Sequence, residues 1–313
     1  MSKKRKQKTE PVGDGGEGPP RAPFRVVKAV LAAVVTAALG CAAVYGVGVL
    51  REEVAREPAY QVSASSLRLV EGPSWMTPGI LAELDVALLD EEFPQRFSLL
   101  DEGVAARIAA AYERCVWVER VKRIEKHDPR VDRSRPPLEI VLTFRRPTAF
   151  VETARGYCLL DADGVRLPGV YREPRLGAER LLVIRGVSLR PPAVGRAWSD
   201  AGLSAGLRVA RVVEPGRERF RLASVDVSNF GGQRDAHEAE IVLATDGGTR
   251  IKWGKAPSPE SQRLRERPPA DKLEYLDYIY KQMGEQVDGV LAYIDIPNRV
   301  IRRRPADAPR LRS

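Results

Sequence analysis

The chain has 313 residues, 43% of them hydrophobic and 30% charged, with a formal net charge of +9. That charge sits at the ends: residues 1–28 and 299–313 each carry a net +5, leaving −1 for everything between. A nearly neutral middle excludes a basic nucleic-acid-binding domain. Basic ends beside an apolar segment fit membrane orientation and affinity for anionic lipid instead.

Residues 1–28 form a basic tail, almost free of apolar side chains up to residue 23, and are expected to be disordered. Ala29–Leu50 follows, 22 residues without a charge, where about 20 suffice to cross a bilayer core as a helix. Lys3, Lys4, Arg5, Lys6, Lys8, Arg21, Arg25 and Lys28 precede it, whereas Arg51 behind it is diluted by Glu52, Glu53 and Glu57. This bias predicts a cytoplasmic N-terminus and an extracytoplasmic remainder. Two rival readings exist. A secretory signal has an apolar core of only about 7–15 residues. Leu39-Gly40-Cys41 resembles the end of a lipid-attachment box, but Ala38 stands where a larger aliphatic residue is usual, and the apolar run continues to Leu50. An uncleaved anchor is the expected outcome.

Residues 51–61 read as a polar stem and 62–147 as a first globular block. In that block Leu67–Val70 suggests a strand, and Pro78 starts a helix to Leu89 with Ile80, Leu81, Leu84 and Leu88 at helical spacing. Asp101 is expected to N-cap a second helix striped by Val104, Ile108, Tyr112 and Cys115. Val116–Val121 and Leu138–Phe144 alternate as strands around a polar loop, Lys126–Pro137. The order is β-α-α-β-β.

Residues 148–304 are mostly strand and turn. Strands are predicted at Phe150–Glu152, Gly156–Leu160, Val165–Leu167, Leu181–Ile184, Arg221–Val227, Ala239–Ala244, Thr249–Trp253, Val290–Ile296 and Val300–Arg303. Asp161-Ala162-Asp163-Gly164 and Asp246-Gly247-Gly248 mark turns. Leu203, Leu207, Ala210 and Val213 stripe one helix, and Leu273, Leu276, Tyr280, Met283 and Val287 a second. Residues 305–313 are a disordered tail. The fold class is α+β: one N-terminal transmembrane helix, a β-α-α-β-β domain, and a mixed β-domain with two helices.

Several phrases, in this order behind an anchor, resemble the FtsQ/DivIB family of bacterial cell-division proteins. They are Ser98-Leu99-Leu100-Asp101 with Val116-Trp117-Val118-Glu119-Arg120-Val121, then Phe144-Arg145-Arg146-Pro147-Thr148-Ala149, then Tyr157 to Val165, and finally Tyr293-Ile294-Asp295-Ile296. The likeness covers roughly residues 29–304 and implies a POTRA domain followed by the family's C-terminal β-domain. Departures from the family pattern are Cys115-Val116 near its usual Pro, Arg145 for its usual Glu, a longer Lys126–Pro137 loop, and Pro297 where an Arg is common.

Chemistry-bearing patterns are sparse. His127 and His237 are the chain's two histidines and each lies in a polar segment expected to be exposed. The sequence has no HExxH, paired CxxC or carboxylate-rich calcium loop, so no catalytic, cofactor-binding or metal residue is predicted. Asp161 and Asp163 are expected to form a solvated hairpin tip. Trp75, Trp117, Trp198 and Trp253 are expected to fill separate core positions. Cys115 and Cys158 are expected to be buried free thiols, with a bridge as the alternative.

The resemblance implies a non-catalytic scaffold that gathers FtsB- and FtsL-like single-pass proteins at the division septum and, indirectly, the septal peptidoglycan synthase. It has no small-molecule substrate. Partner strands would add to exposed sheet edges, and the expected partner-binding residues are Tyr293, Asp295, Val300, Ile301, Arg302 and Arg303 at the C-terminal edge. The alternatives are another POTRA-containing envelope assembly or secretion protein, and an enzyme acting on cell-wall material.

Overall fold

The computed structural model describes residues 23–64, 67, 72–87, 93–132, 134–263 and 266–304. It is a mixed α+β structure that divides into two compact units, residues 1–61 and 62–313. Residues 1–22 of the expected tail at 1–28, the expected tail at 305–313, residues 68–70 of the expected first strand, and Leu88 and Leu89 of the expected first helix of that block lie outside the described residues.

The first unit is dominated by helix α1 (Pro23–Ala55). Its stretch Val27–Ala55 is long and apolar enough to cross a membrane, and none of its most apolar window is buried. The helix outruns the expected 29–50 span at both ends: residues 23–28, expected to be disordered, are helical. Glu52, Glu53 and Ala55 continue it into the expected polar stem, where Arg56 N donates to the carbonyls of Glu52 and Glu53. Pro58–Tyr60 then forms one 3-10 turn.

In the second unit, β1 (Gln61–Ser63) pairs with β2 (Arg96–Ser98). Between and after them come α2 (Pro78–Ala87) and α3 (Val104–Arg114), then the antiparallel hairpin of β3 (Val118–Lys126) and β4 (Leu138–Phe144). Among the described residues the order is therefore β-α-β-α-β-β, and β1 is not the strand expected at Leu67–Val70. Neither β1 nor β2 is expected from the sequence, because three residues are too few to show a period, although Phe97 turns inward and Arg96 outward. Ile80 and Leu84 bury one side of α2, while Leu81 stays 39% exposed. Asp101 does not occupy the cap position of α3, which is Gly103; its carboxylate instead accepts from Gly103 N at 2.8 Å and pairs with Arg107. Trp117 is fully buried and donates from Nε1 to Glu83 Oε2 at 2.6 Å, tying α2 to the start of β3. Trp75 lies 6.5 Å from it, so two of the four tryptophans share one site instead of filling separate ones.

The rest is built on one eight-stranded mixed sheet. Its strands are β5 (Pro147–Thr153), β6 (Gly156–Asp161), β9 (Leu182–Arg185), β10 (Leu222–Asp226), β11 (Ile241–Thr245), β12 (Arg250–Gly254), β13 (Leu291–Asp295) and β14 (Val300–Arg303). A two-residue ribbon of β7 (Arg175–Leu176) and β8 (Glu179–Arg180) lies outside it. The order across the sheet is β14-β13-β12-β11-β10-β9-β5-β6. Pairs β5/β9, β9/β10 and β12/β13 are parallel and the remaining pairs antiparallel. Val165–Leu167, expected as a strand, makes only single bridges, Arg166 to Leu160 and Val165 to Ala197.

Helices α4 (Ala201–Val213) and α6 (Pro269–Gln282) supply the second layer, and a short α5 (Pro259–Arg263) precedes α6. Leu203, Leu207, Ala210 and Val213 of α4 and Leu276 and Ile279 of α6 join Val151, Ile184, Val225, Leu243, Ile251 and Ile294 in one core. Burial on α6 is centred on Lys272, Leu276 and Ile279, with Leu273, Tyr280 and Met283 at its flank. Val287 is buried beyond the helix end, because Gly284 (φ 70°) turns the chain away first. Lys272 is 1% exposed, and its Nζ donates to Trp253 O (2.8 Å), Lys255 O (3.2 Å) and Glu266 Oε1 (2.5 Å). Burial pulls this amine below its ordinary pKa, with Glu266 acting in the opposite direction.

Two buried carboxylates hold the joints. Asp200 caps α4 by accepting from Leu203 N (2.8 Å), and also takes Leu189 N and Ser188 Oγ. Burial pushes its carboxyl up, but these hydrogen bonds outweigh burial and leave it below the usual range. Asp161 does not sit in a solvated tip: it is 3% exposed, accepts from Asp163 N and Val165 N, and pairs with Arg145 at 2.9 Å. Of the two aspartates, Asp163 is the exposed one. Asp161→Ala strands the Arg145 guanidinium and should lower stability by about 2–4 kcal/mol, read from urea midpoints. For Asp200 the unfolded state takes up a proton first as pH falls. Its contribution is present above the unfolded pKa of about 3.9 and is lost as pH drops through the lower folded value. Asp200→Asn should therefore flatten the acid limb of a stability–pH profile.

Candidate partner-binding edge

β13 is irregular at its start. Its pairing with β14 slips between Leu291 and Tyr293, so Leu291 and Ile294, three residues apart, are both fully buried, while Tyr293 is half-buried. Its parallel register sets Arg250 beside Tyr293, Ile251 beside Ile294 and Lys252 beside Asp295. The next turn is organised by Asp295, whose Oδ1 accepts from Asn298 N at 2.9 Å and Oδ2 from Asn298 Nδ2 at 3.1 Å. Arg299 takes a left-handed backbone (φ 53°) and stands 5.5 Å over the Tyr275 ring. The chain then returns antiparallel as β14, with Val300 beside Asp295, Ile301 beside Ile294 and Arg302 beside Tyr293. Arg304 closes the strand, its N donating to Val290 O and its Nη1 to Gly247 O.

The two sheet edges differ. At β6, Tyr157 and Tyr171 exchange N–H···O bonds (2.8 and 2.9 Å), Leu167 N donates to Leu159 O, and Asp161 N donates to Val165 O. That segment pairs the main chain at its rim. Among the described residues no strand lies beyond β14. All four β14 side chains are exposed, Val300 at 44% and Ile301 at 37%, and neither Arg302 nor Arg303 forms an ion pair among the described residues.

The six residues expected to bind a partner are thus brought to one edge, but in two classes. Val300, Ile301, Arg302 and Arg303 are open on the outer strand. Tyr293 and Asp295 lie one strand further in: Asp295 is 7% exposed and occupied by its turn, and Tyr293 has the Lys252 ammonium 5.7 Å from its ring. Tyr293 also floors a groove of about 490 Å³ on the helix-free face, with Asp226, Val242, Arg250 and Lys252 beside it and Arg234 and Glu238 in its wall.

His237 is exposed, as expected, whereas His127 has only 16% of its side chain exposed. It meets Glu125 and Glu139 at the loop end of the β3–β4 hairpin. Sequence spacing hid this group, since Glu139 lies across the strand pair and 12 positions from His127. Cys115 and Cys158 are both free thiols, the first half-buried and the second buried. The chain matches no model of a known protein family, and no curated protein matches it.

Asp295→Ala removes both anchors of the Asn298 turn. It should cost about 1–2 kcal/mol in urea unfolding and loosen the register of β14, while Asp295→Asn should retain most of the stability.

Proposed function

We propose that this protein is a non-catalytic, single-pass membrane scaffold of the FtsQ/DivIB kind, which takes up a strand of an FtsB- or FtsL-like partner along β14. The observation that carries this reading is the contrast between the sheet's edges, one rim paired by its own chain and the other unpaired. An unpaired row of backbone donors and acceptors is a template for another strand. Val300 and Ile301 add alternating apolar contacts, and Arg302 and Arg303 discourage self-pairing between copies.

Further support comes from the order of elements behind the helix. The β-α-β-α-β-β block of residues 61–144 fits a POTRA-like arrangement with one short additional strand, and the eight-stranded sheet fits the C-terminal β-domain that the resemblance implies. In this reading the basic N-terminus is cytoplasmic, the second unit extracytoplasmic, and the protein acts at the septum, connecting its partners to peptidoglycan synthesis.

Removing residues 298–313 takes no buried side chain from the described core, because every β14 side chain is exposed. The truncated protein should stay folded by circular dichroism yet lose capture of an FtsB-like partner in detergent copurification. Tyr293→Ala and Ile301→Asp should each weaken capture by about 1–3 kcal/mol if they anchor the contact. Full-affinity capture by the folded truncation would refute the β14 site. Topology is checked separately: a periplasm-active reporter should work after Ser313 and remain inactive before Lys3.

A further inference from the structure

The end of the β3–β4 hairpin carries a group that the scaffold reading does not use. Glu125 and Glu139 are direct cross-strand partners. His127 follows Glu125 by two residues, so it projects to the same side of the ribbon. Its N–H donates to Pro137 O at 2.9 Å, extending the ladder one step past the strand end. Backbone pairing therefore sets all three side chains on one face of a fixed ribbon. One ligand atom from each lies within 4.8 Å of the others, and His127 Nε2 is 3.4 Å from Glu139 Oε2.

Two like charges directly opposite on a ribbon repel each other unless a cation sits between or beside them. Arg123 supplies part of that charge: its Nη1 is 3.0 Å from Glu125 Oε1 and its Nη2 3.9 Å from Glu139 Oε1. It holds the Oε1 atoms and leaves Glu139 Oε2 turned to the imidazole. The spacing there is diagnostic. Ligands about 2.0–2.1 Å from a tetrahedral zinc ion stand about 3.4 Å apart, and the Nε2–Oε2 pair already has that separation. Glu125, whose ligand atom lies within 4.8 Å of the other two, must close in by no more than about 1.4 Å to join them. Its side chain is 39% exposed and pairs with Arg123 through Oε1.

We propose that Glu125, His127 and Glu139 form a binding site for a divalent transition-metal ion, with Zn²⁺ the best fit and a fourth position left open to solvent. One imidazole nitrogen with two carboxylates suits zinc or its neighbours, and disfavours magnesium and calcium, which prefer all-oxygen shells. Arg123, on the far carboxylate oxygens, stands where groups that orient metal ligands usually stand. The ion would clip together the two strand ends from which the loop at 128–137 departs, and would stiffen that loop. No chemistry is assigned to it.

The test uses the full-length protein in detergent, purified with a histidine-free tag and stripped with chelator. Zinc titration by calorimetry should show one saturable equivalent, and Co²⁺ at the same site should give the visible bands of a four-coordinate ion. His127→Ala and Glu139→Gln should each weaken zinc at least about tenfold, the scale on which even ligand-orienting groups act. His237→Ala should leave binding unchanged, and millimolar Mg²⁺ should not compete. Zinc should also raise the melting temperature of the unsubstituted protein but not of His127→Ala. A flat titration, or one equivalent bound equally well by His127→Ala and Glu139→Gln proteins that retain native circular dichroism, would mean a salt-bridge cluster only and overturn the proposal.

Discussion

A β-sheet must account for the backbone groups at both of its edges, and this constraint organises the larger part of the second unit. At β6 the chain doubles back through residues 165–171 and meets the rim with main-chain hydrogen bonds. Gly156, at the start of β6 facing that return, has a reason: at φ 121° it passes so close to Tyr171 that a Cβ would stand 2.5 Å from its carbonyl oxygen. At β14 no such cover is present among the described residues, and the strand is instead short, basic and exposed. These are the features by which natural edges avoid indiscriminate pairing while staying available to a selected strand.

Buried polar groups fix the connections that bring those edges about. Arg145 and Asp161 join the start of β5 to the end of β6, where the first block passes into the large sheet. Asp200 sets the start of α4, and Lys272 fastens α6 to the carbonyl end of β12. Asp288, through Thr245 Oγ1 and Gly247 N, holds the β11–β12 turn against the segment leading into β13. In each case a side chain satisfies backbone groups that the sheet and helices leave over. Loss of one partner leaves the other buried and unpaired, which makes such joints more sensitive to substitution than their small number suggests.

The sequence was most legible where one period dominated. The β11–β12 and β13–β14 hairpins and β4 could be placed within a residue or two because turn residues bound their apolar runs, and α4 because its helical spacing is uninterrupted. Short elements were not legible: β2, β7 and β8 have three, two and two residues, fewer than any period needs to appear. Asp101 is not the cap, since it sits two residues ahead of Gly103 and its carboxylate takes the N–H of Gly103 itself instead of those of the helix's first turn. Asp161 was misjudged for another reason. An Asp-x-Asp-Gly turn ordinarily faces water, and only the tertiary arrival of Arg145 turns its first aspartate inward. The candidate edge was legible as a pair of strands, but its division into open residues and turn-bound Asp295 needed the register. The Glu125–His127–Glu139 group joins residues across a hairpin and has no linear signature at all.

The parallel pairing of β12 with β13 has a consequence for the order of events in folding. These neighbours are separated by the whole of α5 and α6, so β13 can take its place only after that connection has closed. Among the described residues β14 in turn pairs only with β13. Long-range pairings of this sort form late, because loop closure precedes any reward from contact, and synthesis delivers these strands after all the others. The outer rim therefore comes into existence last, and only on a sheet that is otherwise complete. If a partner docks there, its arrival certifies a finished chain: a nascent or misfolded copy has no rim to offer and is left out of the assembly without any separate act of inspection.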